Sequence, residues 1–423
     1  MNKKITIALC AAAFLGAVLS SPRARQPLAS ASAKIDQTYE QLRLLVDIMT
    51  IVRENYVEEK ENKDLVTSAI KGMVRDLDPF SQFLEPREYK DMKTETEGQF
   101  GGLGIRISVR DNWLTVVTPI PGTPAYKLGI LPGDKIIKIE KESTQGMSVN
   151  DAVGKLRGTP GTKVTITIAR EGEKEPVDYT ITRDVIKIDS IRHKTLKGDY
   201  GYIKINEFSA STDKDLKKAL AELTKQNVKY LVLDLRNNPG GLLDVAVDTV
   251  KEFLPSDKLV VYTKGRRPHM NREYKTGVNS DYVKLPMAVL INKGSASGSE
   301  IFAGALQDHK RAIIVGMESF GKASVQSVFP MTDGNALRLT TAKYYTPSGK
   351  LIHRDEKTQE GGIKPDVVVE VSRDTEVKLQ SQSEEIYPPG KEPESAVKDK
   401  ERVEDVALSR AMELLKVSDI LAR

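Results

Sequence analysis

Three serines, Ser295, Ser297 and Ser299, alternate with small residues in the segment Gly294–Glu300, just ahead of a run that reads as a helix. A serine hydroxyl is a weak nucleophile and needs a base within hydrogen-bond reach. The chain has four histidines, His193, His269, His309 and His353. No two stand at metal-ligand spacing, no H-E-x-x-H occurs, and no G-x-S-x-G elbow carries a serine. Each reads as a surface or loop residue, although triad members need not be adjacent in sequence. Ser319-Phe-Gly-Lys322 fits S-x-x-K and Lys275-Thr-Gly277 fits K-T-G. Their order is the reverse of that in penicillin-recognising enzymes, and Phe320-Gly321 reads as a loop rather than the start of a helix. Any of the three serines could equally be an N-cap, so residue types alone leave the nucleophile open among them.

The elements that would position these residues fall into four stretches. Residues 35 to 75 carry Leu42, Leu45, Val46, Met49, Val52 and Val57 at mostly helical spacing, and Asp76-Leu-Asp-Pro79 ends the pattern. From Phe100, short alternating runs with two short helices suggest a small, partly open barrel. From Tyr200, strands such as Tyr230–Leu235 and Met287–Ile291 alternate with amphipathic helices such as Thr212–Thr224, the pattern of a mixed or parallel sheet with crossover helices. Residues 373–400 are polar and proline-containing and read as a linker. A helix over 401–423 follows, with Val403, Val406, Ala407, Ala411, Leu414 and Leu415 on one stripe.

Gly102-Leu-Gly-Ile105, Thr123-Pro-Ala125 and Leu131-Pro-Gly-Asp134 give the barrel a resemblance to a PDZ domain. The resemblance implies that Gly101, Gly102, Leu103, Gly104 and Ile105 bind a peptide C-terminus, the loop aiming backbone N–H groups at the carboxylate while a sheet edge pairs with the peptide. A dinucleotide reading of Gly102-x-Gly104 fails, because no third glycine follows at the required offset and no helix opens there.

Asp234–Gly241, Gly294–Glu300, Ala305–Asp308, Phe320–Gln326, Tyr344–Gly349 and Ile363–Asp366 together resemble the carboxyl-terminal processing peptidases, or tail-specific proteases, over residues 40 to 372. The resemblance implies a multidomain α/β protein: after residues 1–33, which their own pattern marks as a signal peptide, come a helical N-terminal segment over 34–97, a PDZ domain over 98–185, and a crotonase/ClpP-like mixed α/β serine protease core over 186–372. It implies a serine–lysine dyad, with Ser297 as nucleophile, Lys322 as general base and Gln326 orienting Lys322. Asp308 falls on a supporting acidic position. Gly298, with Gly240 or Gly241, would supply oxyanion donors. Arg157 matches a PDZ arginine that can face the protease core and is a regulatory candidate.

The dyad makes chemical sense. Lysine starts near pKa ~10.4 and is protonated at neutral pH. Burial can lower it by roughly three units, and Val325, Leu337 and Leu339 are the nearby apolar candidates for that environment. A glutamine can fix the amine without the negative charge that would raise its pKa. Two positions depart from the family's habit: Gly298 stands where alanine is common, and Ala323 where glycine is common. If that backbone needs positive φ, Ala323 costs about 1 kcal/mol. A competing reading is therefore a PDZ-based peptide-binding scaffold with an inactive protease core.

Composition narrows the classes. Of 423 residues, 39% are hydrophobic and 29% charged, which excludes general disorder and a multi-span membrane protein. One cysteine cannot form an internal disulfide or a cysteine zinc site, and neither metal nor cofactor is expected. The net charge is +5, but residues 1–33 hold Lys3, Lys4, Arg23, Arg25 and no acid. Without them 60 basic residues face 59 acidic ones, so the charge is no sign of nucleic acid. Asn2–Lys4 followed by the apolar run Ile5–Leu19 reads as a secretory signal, since fifteen residues give only ~22 Å of helix against a ~30 Å hydrocarbon core. The expected location is the bacterial periplasm or cell envelope, with an uncleaved anchor as the alternative. Expected partners are protein or peptide substrates with exposed C-termini. The apolar stripes of the terminal helices suggest a homo-oligomer, and an adaptor protein is a further expected partner class.

Overall fold

The computed structural model describes residues 22–384 and 403–421, apart from Pro121, Pro132, Glu171, Ile188, Gly198, Asn279, Glu356 and Gln359. The apolar run Ile5–Leu19 therefore lies outside the described residues. The chain divides between Phe83 and Leu84 into two compact units.

The first unit contains helices α1 (Pro22–Asn55) and α2 (Asn62–Arg75). One continuous helical region was expected here; residues 56–61 interrupt it, and Glu61 turns extended to become the N-cap of α2. The helix ends before Asp76, as the proline at position 79 dictates, and the Asp78 carboxylate accepts the N–H groups of Phe80 and Ser81 at 2.8 and 2.9 Å. Helix α1 exposes Leu42, Leu45, Val46 and Ile51.

The second unit begins with α3 (Pro86–Thr96) and β1 (Gln99–Gly102), and continues into the small β-domain that carries the PDZ resemblance. Its sheet is built from β2 (Ile105–Arg110), β3 (Trp113–Pro119), β4 (Lys135–Ile139), β5 (Lys163–Ala169) and β6 (Val177–Thr182) in that spatial order. Two short helices, α4 (Pro124–Lys127) and α5 (Val149–Leu156), close it around Leu114, Ile136, Ile166 and Ile181. Strand β2 lies at the sheet edge with α5 packed beside it, which is the groove a peptide strand would enter. Strand β7 (Asp184–Lys187) returns to pair with β1.

The core domain is a six-stranded sheet in the order β8 (Ile191–Leu196), β9 (Tyr200–Ile205), β10 (Tyr230–Asp234), β13 (Met287–Ile291), β14 (Ile313–Gly316), β17 (Val367–Val368). All neighbours are parallel except β8 with β9. Such strands are buried on both faces and so read as unbroken apolar runs. On one face, Ile203, Leu233, Val289 and Ile314 meet α6 (Thr212–Lys225), α7 (Leu243–Lys251) and α8 (Gly298–Asp308). A second, antiparallel sheet joins β11 (Leu259–Gly265), β12 (Arg272–Lys275), β15 (Ser324–Pro330) and β16 (Ala336–Tyr345).

The C-terminal part differs from the expected linker. Arg373–Glu384 forms a helix, α9, where polarity suggested irregular chain. Ser372 Oγ accepts the Thr375 N–H, and Asp374 and Glu376 occupy the first turn, both favourable at a helix N-terminus. Helix α10 (Val406–Leu421) lays Ala411 and Leu415 on Tyr202, Val232, Leu290 and Val315, the second face of the parallel sheet. Of the expected stripe, Ala407, Ala411 and Leu415 are buried within the chain, while Val406 stays half exposed.

Candidate active site

Strand β13 delivers the chain to a tight segment at the head of α8. Asn292 Oδ1 accepts the N–H groups of Asn237 and Gly294 at 2.9 and 3.1 Å. Ser295 Oγ donates to the Leu235 carbonyl at 2.8 Å, and Ser299 Oγ to the Asn238 carbonyl at 2.9 Å. Both residues are fully buried. The two flanking serines are therefore structural pins, which separates the three candidates that sequence alone left open.

Ser297 differs from both. It stands immediately before α8 with φ 55° and ψ −112°, a conformation that costs a non-glycine residue roughly 1–3 kcal/mol. Its Oγ lies 2.8 Å from the Tyr344 phenol oxygen. Burial pushes the Tyr344 phenol well above its usual range, so it keeps its proton.

The glycine loop after β10 presses on this serine. A Cβ on Gly240, whose φ is +101°, would stand 2.7 Å from both Ser297 Cβ and the Gly298 nitrogen. The Gly240 N–H donates to Asn238 Oδ1 at 2.8 Å, so it is not available to an oxyanion. Phe208 bonds to the Gly240 carbonyl and the Leu242 N–H, which directs the Gly241 N–H away from it. Among the described residues, the N–H groups of Gly241 and Gly298 have no hydrogen-bond partner. Of the two glycines considered for the second donor, only Gly241 retains its N–H.

Glu300 ties the serine to the lysine segment. Its carboxylate accepts the N–H groups of Ser297 (2.8 Å), Gly321 (2.6 Å) and Lys322 (2.9 Å) and the Ser319 hydroxyl (2.5 Å). Burial pushes its pKa up, against these bonds, which pull it down. The sequence reading passed over Glu300; the Ser297-x-x-Glu300 capping-box spacing was the signal that could have found it.

Lys322 lies two residues before β15, and the Ala323 carbonyl accepts the Tyr344 N–H at 3.0 Å. The cross-strand neighbours of Ser324 and Val325 are Lys343 and Ala342. Leu337 and Leu339 lie opposite Phe329 and Ser327, farther along the hairpin, so they are not the apolar surroundings of Lys322 that proximity in sequence suggested. Ala323 is fully buried and is not among the residues with positive φ, so no strain attaches to it. Gln326 donates through Nε2 to Thr340 Oγ1 at 2.6 Å, and its buried Oε1 has no partner among the described residues. That oxygen is an acceptor suited to an ammonium or amine. Asp308, at the end of α8, accepts the Ser348 N–H at 2.8 Å and so holds the turn that follows Tyr344 and Tyr345.

In the PDZ domain, Gly104 has φ +76° and packs so tightly that a Cβ would overlap Thr123. Leu103 is buried in the domain core, and Ile105 packs against it. Among the described residues, the N–H groups of Leu103 and Gly104 have no hydrogen-bond partner, as a carboxylate-binding loop requires. The Gly101 carbonyl accepts the Gly158 N–H at 3.1 Å, and Gly102 lies against the Phe100 ring. The Arg157 guanidinium sits 4.5 Å above that ring.

Residues 199–369 match the description of peptidase family S41, residues 115–170 that of a PDZ domain, and residues 9–87 that of the activating protease CtpB N-terminal domain. A carboxy-terminal-processing protease of Bartonella bacilliformis is 45% identical over 339 residues, covering 79% of this chain and 76% of the relative. The chain belongs to the carboxy-terminal-processing proteases. A carboxyl-terminal-processing protease of Synechocystis is 37% identical over 328 residues, covering 76% of this chain and 75% of that one. A solved photosystem II D1 C-terminal processing protease is 30% identical with a TM-score of 0.49, covering 77% of this chain and 92% of its own. As a carboxy-terminal-processing protease, the chain is a serine-type peptidase with a multidomain α/β fold, and its PDZ domain binds peptide substrates. The silent-scaffold alternative is not favoured.

Proposed function

We propose that this protease is an exported endopeptidase that works through a Ser297–Lys322 dyad. Lys322, neutral when desolvated, takes the Ser297 proton as Oγ attacks the scissile carbonyl carbon. The Gly298 and Gly241 N–H groups receive the developing oxyanion. Lys322 then gives its proton to the departing amine, and the same lysine deprotonates the water that hydrolyses the acyl-enzyme. Gln326 Oε1 holds the lysine amine. The observation that carries this reading is the strained Ser297 pressed against Gly240 at the head of α8, between two buried serines whose hydroxyls are occupied by backbone.

The N-terminal charge and apolar pattern supports export to a periplasm or cell envelope, with the leader cleaved or kept as an anchor. Substrate C-termini enter at Gly101–Ile105, and Arg157, stacked on Phe100, couples that event to the core. The coupling route is short: the Thr96 carbonyl accepts the Ala210 N–H, two residues from the Phe208 that holds the glycine loop. The exposed apolar residues of α1 support association with a second copy or an adaptor.

Casein digestion tests the central reading. Wild type is expected to degrade it, Ser297→Ala not at all, and Lys322→Ala barely. Full activity in Ser297→Ala would refute the dyad.

A further inference from the structure

Arg236 begins the loop that carries Gly240 and Gly241, and its guanidinium lies between two carboxylates. Its Nη2 donates to Asp234 Oδ2 at 2.6 Å. Its Nη1 and Nη2 donate as a fork to Asp405 Oδ1 and Oδ2 at 2.9 and 2.7 Å. Asp405 stands at the start of α10 and also accepts the Leu408 N–H at 3.1 Å, so it caps that helix. The Arg236 carbonyl is held as well, by Lys204 Nζ at 3.0 Å.

The next residue is fixed in the same manner. Asn292 Nδ2 donates both to Asn237 Oδ1 at 2.9 Å and to Glu376 Oε1 on α9 at 3.0 Å. Arg236, Asn237, Asn292 and Glu376 line one cavity at the ends of β10 and β13. A buried fork between arginine and a carboxylate has a strict geometry, and losing one partner leaves the other charge uncompensated.

The loop so anchored runs directly to the candidate nucleophile. Asn238 accepts through its carbonyl from the Ala296 N–H and the Ser299 hydroxyl, and its side chain accepts the Gly240 N–H. Two C-terminal helices, far from the serine in sequence, thus hold the loop, α10 through Asp405 and α9 through Glu376 and Asn292.

We propose that Asp405 and Glu376 are positioning residues for peptide hydrolysis: Asp405 fixes Arg236 directly and Glu376 fixes Asn237 through Asn292, and together they hold the Gly241 N–H where the oxyanion forms. This rests on the reading of Ser297 as nucleophile and Gly241 as oxyanion donor. Asp405 touches no substrate and acts only through the loop. Its effect therefore falls on the transition state and leaves substrate binding unchanged.

The test uses the full chain with a cleavable peptide and a peptide aldehyde of the same sequence, whose hemiacetal oxygen would stand at the oxyanion position. Asp405→Asn is expected to lower kcat about tenfold, leave KM within about twofold, and raise the aldehyde Ki by the same factor as the fall in kcat/KM. Asp405→Glu restores most of both. Glu376→Gln leaves the Arg236 cluster intact and gives a smaller, equally matched change; it carries the test if Asp405→Asn melts below assay temperature. An unchanged kcat, or a reduced kcat with unchanged aldehyde Ki, overturns the proposal. Ser297→Ala is run alongside, and activity in that variant would count against the nucleophile reading, independently of the Asp405 result.

Discussion

The Ser297 hydroxyl oxygen lies 2.8 Å from the phenol oxygen of Tyr344. Burial keeps Tyr344 protonated, so its O–H can donate to Ser297 Oγ and leave the serine proton for a base. Replacing it by phenylalanine removes one hydrogen bond, about 1 kcal/mol net, and an orienting contact. Tyr344→Phe is expected to lower kcat by roughly tenfold with KM little changed. Steady-state kinetics on a short peptide read this directly, and an unaltered kcat would show the contact to be idle.

Glu300 gives a pH prediction. Four groups donate to its carboxylate, and a proton there must displace at least one of them. Burial raises its pKa above the usual value, so activity should fall on the acid side at a higher pH than an ordinary glutamate would produce. Its contribution to stability has the opposite sign. The folded carboxyl holds its proton more tightly than the unfolded one, so the group favours the fold below the usual value. That contribution is lost as pH rises through the raised value. A kcat/KM profile that stays flat down to the ordinary carboxylate range would contradict the first expectation; thermal melts across the same window check the second.

Gly240 permits no side chain. Its φ is +101°, and a Cβ would press on Ser297, Gly298 and the Ala296 carbonyl at 2.7–2.8 Å. Gly240→Ala should therefore reduce kcat by on the order of a hundredfold, through displacement of the loop and serine together. Circular dichroism would show a folded chain. Near-wild-type turnover would mean that the loop can move without consequence.

Ala323 and Gly298 lead to the reverse expectation. Ala323 is buried without positive φ, so Ala323→Gly should cost about 1 kcal/mol in stability and bring no gain in activity. At Gly298 a Cβ would meet Phe208 at 3.0 Å and Ala246 at 3.3 Å, contacts that a small ring shift relieves. Gly298→Ala should keep at least about a third of wild-type kcat, since its N–H is unaltered. Urea melts and turnover numbers for the pair check both statements.

How much of this was legible in the sequence depends on distance along the chain. The Ser297 segment, the PDZ glycine loop and the β10 glycine loop are local patterns, and each was readable before any fold. The choice of Ser297 over Ser295 and Ser299 needed either the family resemblance or the carbonyls of Leu235 and Asn238, which come from the loop after β10. Tyr344 reaches Ser297 only because β16 returns beside β15, with a bulge between Val325 and Gln326. Neglecting the hairpin's register also placed Leu337 and Leu339 beside Lys322. Asp405 stands 169 positions from Arg236, beyond any local pattern. Helix α9 was missed because its composition is polar, and the Ser372 cap and acidic first turn, rather than an apolar stripe, mark its start.

The most direct test of the central claim is mass spectrometry after treatment with a fluorophosphonate, which labels an activated serine. The expected result is one adduct, mapped to Ser297, forming much more slowly in Lys322→Ala. An adduct on Ser295 or Ser299, or casein cleavage by a chain whose Ser297 stays unlabelled, would contradict it.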